Sequence, residues 1–379
     1  MGSIFHFPTR LIFSSDAAED LVQELSHVEG PKVALLTDKG IISAGLAEPF
    51  LNKLAAAGVP VEVFSDIPGN PNVQDVLPAF EAARKAGSTH VVALGGGSVI
   101  DTAKAVGILL GNPGLDWEDL QWGRAKLEKP ALPVISIPTT AGTGSESTHV
   151  TVIGDHTGFK KGVVHPEVFS KIAILDGSLT LSLPPKLTAA TGMDVLVHAI
   201  EAYLGKRANP MTDLFALGAI RAAVRWLPEA THNGKNLEAR KAMIEAATIA
   251  GIAMDQAGLG LDHAIAGPLA NTYHLHHGLA VAVLLPPTLA FDAPAISPER
   301  WEALREAMRL PASSKPEDFS GWAKKFIADL GLPTRLSEVG LQKADIAKLA
   351  ESTTRMAMFG NNIRQATAED CAKLMEEYL

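Results

Sequence analysis

The first half of the chain alternates short apolar runs with stretches of helical period. Four apolar runs, at residues 32–37, 61–64, 90–94 and 133–137, predict buried strands. The stretches at residues 73–85 and 98–110 predict helices between strands. Strands that alternate with helices are typical of βαβ units. We therefore predict an α/β fold with a parallel, Rossmann-like sheet.

The pattern changes further along the chain. Residues 149–153 and 160–164, joined by a turn with glycines at both ends, predict a β-hairpin that we expect to extend the sheet. After Leu183-Pro184-Pro185 the sequence is Ala- and Leu-rich with a helical period. The clearest predicted helices are at residues 188–204, 211–226, 237–254 and 367–379. We therefore predict two domains, α/β at residues 1–182 and all-α at residues 183–379.

Composition narrows the class of protein. Among 379 residues, 42 are acidic and 33 basic, and the formal net charge of -9 argues against a nucleic-acid partner. One cysteine, Cys371, rules out internal disulfides and fits a reducing cytoplasm. The N-terminus lacks the pattern of a signal peptide, and His6 argues against myristoylation of Gly2. We expect a cytoplasmic protein.

No membrane span is predicted either. A spanning helix needs about 18 or more apolar residues. The best candidate, residues 279–285, runs into Pro286 and Pro287. We therefore expect no membrane partner.

A glycine turn, Gly95-Gly96-Gly97-Ser98, follows the predicted strand 90–94 and opens a helix. Backbone N–H groups and the helix dipole favour an anion there, so the turn is a candidate pyrophosphate site. Ser98 is a candidate N-cap or phosphate donor. Asp101 and Lys104 extend the pattern to a more specific one. The spacing is not G-x-G-x-x-G, and a tight turn without a ligand is the alternative.

A second polar loop, residues 138–146, follows the strand that ends at residue 137. Its hydroxyl groups include those of Thr139, Thr140, Thr143 and Ser145. Ligands of open α/β sheets bind at such strand ends. Asp38, at the end of the first strand, is a candidate acceptor for an adenosine ribose, which favours NAD over NADP. The alternatives are a polar surface loop and an ordinary turn aspartate.

Four side chains are candidate metal ligands. Asp194 and His198 lie four residues apart, on one face of a predicted helix with apolar neighbours. His263 and His277 follow in a His-rich segment. Three imidazoles and a carboxylate suit Fe²⁺ or Zn²⁺, and the sequence does not choose between these ions. A core histidine, a helix-stabilising acid and a non-catalytic His-rich turn are the alternatives.

Together these motifs closely resemble the iron-containing (group III) alcohol dehydrogenase family over essentially the whole chain. The resemblance includes Gly95 to Lys104, the loop from Thr139 to Glu146, Lys160, residues 181–194, the run from His198 to Tyr203, and the segment that ends at Pro286. It implies an NAD-dependent dehydrogenase fold similar to that of dehydroquinate synthase, with the active site between two domains.

The resemblance also implies roles for particular residues. Asp194, His198, His263 and His277 would hold Fe²⁺ or Zn²⁺. Gly95 to Ser98 would hold the NAD pyrophosphate, and the Thr139-Thr140 loop would pass near the adenine and nicotinamide ends. We assign Lys160 to the cofactor site and to catalysis. The substrate would be a primary alcohol or small aldehyde, and similar proteins are homodimers or larger assemblies.

One position departs from the family pattern. The family commonly has a histidine four residues after the third ligand, where this chain has Gly267. That histidine is thought to help move the substrate hydroxyl proton. We expect its absence to leave volume for a larger or more polar substrate. We hypothesise that His274, or a water chain through that volume, replaces it; a surface histidine is the alternative.

Other enzymes on the same scaffold stay open as alternatives. These are a hydroxyacid–oxoacid transhydrogenase, a maleylacetate reductase-like enzyme and a non-redox metal enzyme related to dehydroquinate synthase. A ligand-binding protein with a degraded site is a further alternative, although the four intact ligands speak against it.

Overall fold

The computed structural model describes residues 4–379, so Gly2, where we expect no myristoyl group, lies outside the described residues. The chain forms two compact units. The first, called here the sheet unit, comprises Phe7–Thr140 and Gly144–Ser182. The second, the helical unit, comprises Leu183–Leu379, the short segment Ala141–Thr143 and residues 4–6.

A six-stranded parallel sheet forms the centre of the sheet unit, in the order β1-β8-β5-β4-β2-β3. Its strands are β1 (Arg10–Phe13), β2 (Val33–Leu36), β3 (Val61–Phe64), β4 (His90–Gly95), β5 (Val134–Pro138) and β8 (Ile172–Leu175). Strand β2 lies between β3 on one side and β4 on the other. The order of strands along the sheet therefore reverses direction between β2 and β4. Ligands of open α/β sheets bind at such a reversal, beyond the carboxyl ends of the strands.

The two faces of the sheet are covered by different helices. Side chains alternate along the strands, so Ala34 and Leu36 join one apolar core while Val33 and Leu35 join the other. The helices of this unit are α1 (Ala17–Ser26), α2 (Lys39–Ser43), α3 (Glu48–Ala56), α4 (Val73–Ala86), α5 (Gly97–Gly111) and α6 (Trp117–Gln121). The first core includes α4 and α5, and the second includes α1 and α3.

The predicted hairpin is present as β6 (Val150–Gly154) and β7 (Lys160–Val164), but the expectation that it extends the main sheet is wrong. It forms a separate two-stranded antiparallel sheet. Side chains of α5 and α6 form hydrogen bonds with the hairpin backbone. Asp101 Oδ2 accepts from Val152 N at 3.1 Å, and Gln121 Nε2 donates to Ile153 O at 2.6 Å. The hairpin is therefore held against helices rather than against a strand edge.

Strands β1 and β8 were not among the predicted strands. Each has four residues, and they pair with each other. β1 lies at the sheet edge, where its burial shows no alternation between faces. Such short strands carry little periodic signal, and their assignment depends on pairing between distant segments.

The described residues from 183 onward form helices and turns without a strand. The helices are α7 (Pro185–Leu204), α8 (Pro210–His232), α9 (Leu237–Ala257), α10 (Leu261–Tyr273), α11 (His277–Asp292), α12 (Pro298–Ala307), α13 (Phe319–Asp329), α14 (Ile346–Thr353) and α15 (Ala368–Glu377). Helix α7 packs against α8, α9 and α11 and is buried along most of its length. Polar side chains on α7 therefore need partners inside the protein.

Helix α11 continues through Pro286 and Pro287, where the sequence suggested an end to the apolar run. It is buried along most of its length, and tertiary packing overrides the low helix propensity of proline. The helical segment His277–Ala295 is long and apolar enough to cross a membrane by length and composition alone. Most of it is buried inside the protein, as in the core helix of a globular protein.

Candidate metal centre and cofactor cradle

Four side chains of the helical unit bring their ligand atoms together, and we call them the ligand cluster: Asp194 and His198 on α7, His263 on α10, and His277 at the start of α11. Asp194 Oδ1 lies 3.3 Å from Nε2 of His198, 3.5 Å from Nε2 of His263 and 3.7 Å from Nε2 of His277. All four ligand atoms lie within 4.8 Å of one another.

These distances and the burial of the cluster fit a divalent cation. Ligand atoms about 2.0–2.2 Å from one ion in a tetrahedral arrangement are separated by roughly 3.3–3.6 Å. Asp194 Oδ1 and His263 Nε2 are buried without a hydrogen-bond partner. Such atoms are costly to bury unless something binds them. The His277 side chain is 43% exposed, whereas the other three are almost fully buried, so the cluster is open on one side.

The electrostatics of the cluster suit ligands for a cation. Burial opposes ionisation of Asp194, but His198, His277 and His263 outweigh it and lower the pKa of the carboxyl below its usual range. Burial lowers the pKa of His198 to about 4, which leaves a neutral imidazole at neutral pH. Burial also disfavours the charged form of His263, but Glu201 and Asp194 raise its pKa to about 10. A cation must therefore displace a proton from His263.

Glu201 lies behind the cluster and was missed by the sequence analysis. Its Oε2 lies 2.6 Å from His263 Nδ1, and its Oε1 accepts from the main-chain N–H of Asp262 at 2.7 Å. Because Glu201 holds Nδ1, Nε2 is the nitrogen of His263 that faces the cluster and from which a cation would displace the proton. The sequence does contain a signal for Glu201. It lies seven residues after Asp194 and three after His198, and therefore on the same face of α7.

A small cavity of about 10 Å³ lies next to Glu201 and has room for roughly one water molecule. Asp262, Thr288 and Asp292 also line it. Burial, followed by the charge of Glu201, raises the pKa of Asp262 well above its usual range. Burial raises the pKa of Asp292 to about 7. Asp262 and Asp292 therefore hold a proton to higher pH than ordinary aspartates do.

In the sheet unit, the glycine turn lies at the carboxyl end of β4, where the strand order reverses. Gly96 is the N-cap of α5, so Ser98 lies in the first turn of the helix and the expectation that it caps the helix is wrong. A side chain at Gly96 would meet Thr140, since an added Cβ would lie 3.1 Å from Thr140 Oγ1. The turn and the start of the predicted polar loop are therefore in close contact, with room for backbone only.

The polar loop itself is divided between the units. Thr139 and Thr140 belong to the sheet unit, Thr143 to the helical unit, and Ser145 to the sheet unit again. Gly142, in the middle segment, lies against α7, because an added Cβ would lie 2.9 Å from Thr191 Cβ. The sequence pattern predicted a single loop for these hydroxyl groups.

Asp101 and Lys104 on α5 hold the segment that follows this loop. Ser145 Oγ donates to Asp101 Oδ1 at 2.5 Å. Lys104 Nζ is buried and donates to the carbonyl oxygens of Ser145, Thr148 and Val150. Burial raises the pKa of Asp101. These interactions fix the shape of the loop, and the hydrogen bonds of Asp101 and Ser145 are already used within the protein.

Asn70 connects two of the predicted cofactor residues and was also missed. Its main-chain N–H donates to Ser98 Oγ at 3.2 Å, and its Oδ1 accepts from Lys160 Nζ at 2.6 Å. Asn70 has a φ of 60°, a left-handed conformation that is uncommon outside glycine but that Asn adopts more readily than most residues. Burial lowers the pKa of Lys160. The sequence signal was an Asn between a glycine and a proline, which is typical of a turn.

Asp38 and His274 each lie at a helix end. Asp38 caps α2, and its Oδ1 accepts from Ile41 N at 3.0 Å. His274 is the C-cap of α10 with a φ of 53°. Its side chain is exposed and makes no hydrogen bond or ring contact with another of residues 4–379. It is also not one of the four clustered ligands.

The space beside Gly267 is not empty. A Cβ added to Gly267 would lie only 3.1 Å from the terminal methyl carbon of Met356. The expectation of a vacated volume is therefore wrong next to the Gly267 backbone, where an apolar methyl group lies instead.

A glycine turn at the reversal of a parallel sheet and a cluster of candidate metal ligands are typical of a metal- and nucleotide-dependent enzyme. The comparison with known families is more specific. Residues 8–177 match the profile of iron-containing alcohol dehydrogenases, and residues 188–379 match the C-terminal region of the same family. The chain therefore belongs to the iron-containing alcohol dehydrogenase family.

Individual relatives agree with this family over nearly their full lengths. The NAD-dependent methanol dehydrogenase of Bacillus methanolicus is 34% identical, and the match covers 99% of both chains. The structure of a 1,3-propanediol oxidoreductase matches with a TM-score of 0.94, 31% identity and complete coverage of both chains. The sulfoacetaldehyde reductase of Bifidobacterium kashiwanohense, solved with NAD⁺, matches with a TM-score of 0.92 and 29% identity over 100% of this chain and 99% of its own. The predicted family, fold and class of enzyme, an alcohol dehydrogenase, are confirmed.

Proposed function

We propose that this protein oxidises a primary alcohol to an aldehyde with NAD as hydride acceptor and a divalent metal ion, and catalyses the reverse reduction. The observation that carries the proposal is the convergence of Asp194 Oδ1 with three imidazole nitrogens, two of these ligand atoms being buried without partners. The iron-containing family supports Fe²⁺, although the donor set suits Zn²⁺ as well. The NAD⁺ bound to a relative of similar fold supports NAD.

Residues of the helical unit would hold the metal. Asp194, His198 and His263 supply buried ligand atoms, and the hydrogen bond between Glu201 and Nδ1 of His263 would leave Nε2 as the nitrogen that binds the metal. His277 completes the set on the exposed side, so the substrate would approach there. This assignment rests on the geometry of the ligand atoms and on their burial.

Residues of the sheet unit would hold the dinucleotide. The N–H groups of Gly96, Gly97 and Ser98 at the start of α5 suit the pyrophosphate. Asp38 Oδ2 suits an adenosine ribose and would repel a 2′-phosphate, which favours NAD over NADP. Lys160, beside Asn70 and Ser98, would contribute a positive charge to the same cradle. We propose residues 1–182 as the NAD-binding domain and residues 183–379 as the metal and substrate domain.

The reaction removes a hydride and a proton from the alcohol. When bound, the metal acts as a Lewis acid on the substrate oxygen and NAD accepts the hydride. The chain has to provide a route for the hydroxyl proton. His274 remains our candidate for this step, supported by its exposed ring three residues before His277.

The test replaces one buried ligand. His263→Ala should lose bound metal and most of its turnover, because the site loses both affinity and geometry. Metal content is measured by mass spectrometry and turnover by NADH absorbance. His232→Ala, at the end of α8 outside the cluster, is the control and should keep both. Full activity of His263→Ala without bound metal would contradict the proposal.

A substrate panel defines the reaction further. The purified protein, reloaded with Fe²⁺ or Zn²⁺, is assayed with primary alcohols, diols and aldehydes and with NAD(H) or NADP(H). We expect steady NADH formation from a single alcohol. Turnover that requires a second oxo substrate and no free NAD would instead indicate a transhydrogenase.

We also propose a cytoplasmic location and a homodimer or larger homo-oligomer. The buried thiol of Cys371 is compatible with a reducing compartment, and the assembly rests on the family resemblance. Light scattering coupled to size-exclusion chromatography measures the assembly, and a monomeric mass would contradict that part of the proposal.

A further inference from the structure

Gly267 lies one turn after His263 on α10. Residues four apart lie on the same face of a helix, with Cβ atoms about 6 Å apart. Helical Cα–Cβ bonds tilt toward the N-terminus, so a side chain at position 267 would lean toward His263. The methyl carbon of Met356 lies 3.1 Å from where that Cβ would be. Met356 therefore occupies the position that a side chain at residue 267 would take, on the face of α10 that carries a metal ligand.

The segment that carries Met356 is fixed to the start of α10. Met356 N donates to Thr353 O at 3.0 Å, at the end of α14. A few residues later, Asn361 Nδ2 donates to the carbonyl oxygen of Leu259, and Asn362 Oδ1 accepts from Leu261 N at 3.0 Å. Residues on both sides of Met356 are thus hydrogen-bonded within the helical unit. The backbone on both sides of Met356 is therefore anchored to the same unit that carries His263.

We infer that Met356 is a specificity-determining residue, which presents an apolar wall on the His263 side of the metal centre and favours substrates with an apolar group beyond the carbinol carbon. A thioether offers almost no hydrogen bonding, so a substrate hydroxyl buried against it would be left unpaired. The inference rests on the proposed function, since it assigns a substrate preference to the same site.

The test compares two substrates of nearly equal shape. 1-Butanol and 1,3-propanediol differ by a terminal methyl in place of a hydroxyl. We expect the wild type to have the higher kcat/KM with 1-butanol. Met356→Gln keeps the length of the side chain and adds hydrogen-bonding groups, so the ratio of the two kcat/KM values should fall roughly ten-fold or more, within the range for adding a hydroxyl to an apolar pocket. Met211→Gln, at an exposed position of α8, is the control and should leave the ratio unchanged.

An unchanged ratio in Met356→Gln, with metal content and NADH affinity equal to the wild type, would overturn the inference while leaving the proposed function intact.

If the metal-loaded wild type oxidises no alcohol, the proposed function fails instead, and the packing of Met356 is tested separately by thermal unfolding. Gly267→Ala should raise the melting temperature more in a Met356→Ala background than in the wild type. The reason is that the added methyl group meets the Met356 side chain only in the wild-type background. Equal effects in both backgrounds would show that the contact is absent.

Discussion

Glu201→Gln tests how the buried carboxylate controls a metal ligand. The two oxygens of Glu201 accept from two different donors, His263 Nδ1 at 2.6 Å and Asp262 N at 2.7 Å. Glutamine has a single oxygen, so one of these donors would face an NH₂ group. Asp262 N is a main-chain donor and cannot change. The side-chain oxygen should therefore turn to Asp262 N, leaving the NH₂ group against His263 Nδ1.

The consequence is a change of tautomer. An NH₂ group opposite Nδ1 requires Nδ1 to accept, so the proton of the neutral ring moves to Nε2. The Nε2 atom then points a hydrogen at the ligand cluster. Loss of such an outer partner typically lowers metal affinity 10- to 100-fold, which corresponds to about 1.4–2.7 kcal/mol. We expect a loss in this range for both Zn²⁺ and Fe²⁺.

Two measurements check this reasoning. Competition with a chromogenic chelator gives the metal affinity. ¹⁵N NMR of the metal-free protein with labelled histidine reports which nitrogens of His263 carry a proton, and the raised pKa of His263 predicts protons on both in the wild type. Glu238→Gln, at an exposed position of α9, is the matched control and should leave both unchanged. Metal affinity within two-fold of the wild type, together with a proton still on Nδ1, would refute the proposed role of Glu201.

Three further predictions concern stability and proton transfer. Gly111→Ala should destabilise the protein by about 1–3 kcal/mol, because the added Cβ would lie 2.2 Å from Pro130 O. Gly218→Ala has open space around the added Cβ and should stabilise the protein by about 0.5–1 kcal/mol. Denaturant unfolding measures both changes in the free energy of unfolding. Burial raises the pKa of Asp292 to about 7 from an unfolded value near 3.8, so the folded state binds an extra proton between those pH values and the free energy of unfolding falls as pH rises through them. Asp292→Asn should therefore gain stability relative to the wild type at pH 8 but not at pH 4, and an equal difference at both pH values would contradict this reading. His274→Ala should lower turnover and alter its pH profile if that imidazole moves the substrate proton, while an unchanged profile, like that expected of His232→Ala, would remove His274 from the mechanism.

Much of the sheet unit was predictable because its signals are local. The apolar run at residues 90–94 and the glycines that follow it predicted a strand, a turn and a helix, and the structure has β4 and α5 there. Parallel strands buried on both faces read as continuous apolar runs, so such strands are recognisable from a few neighbouring residues. The placement of the hairpin was not predictable, because it depends on Asp101 and Gln121, which lie on separate helices.

The ligand cluster was likewise predictable where its signals are local and not where they join distant residues. The residue types and the i, i+4 spacing of Asp194 and His198 indicated metal chemistry, since spacing on a helix fixes which side chains share a face. The second carboxylate, Glu201, shares that face too, but its bond to His263 joins residues 62 positions apart. The sequence could therefore suggest the ligands, whereas their outer partner appeared only in the structure.

The sequence by itself determined the family, the alternation of strands and helices and the identity of the candidate ligands, because each of these depends on residue types within short motifs. Only the tertiary structure decided that Gly267 has a methionine methyl beside it rather than an open volume, and that Asp101 and Ser145 bind each other. Both results depend on packing between segments far apart in sequence. Space beside a residue is filled by whatever the fold brings there, and no local pattern specifies it.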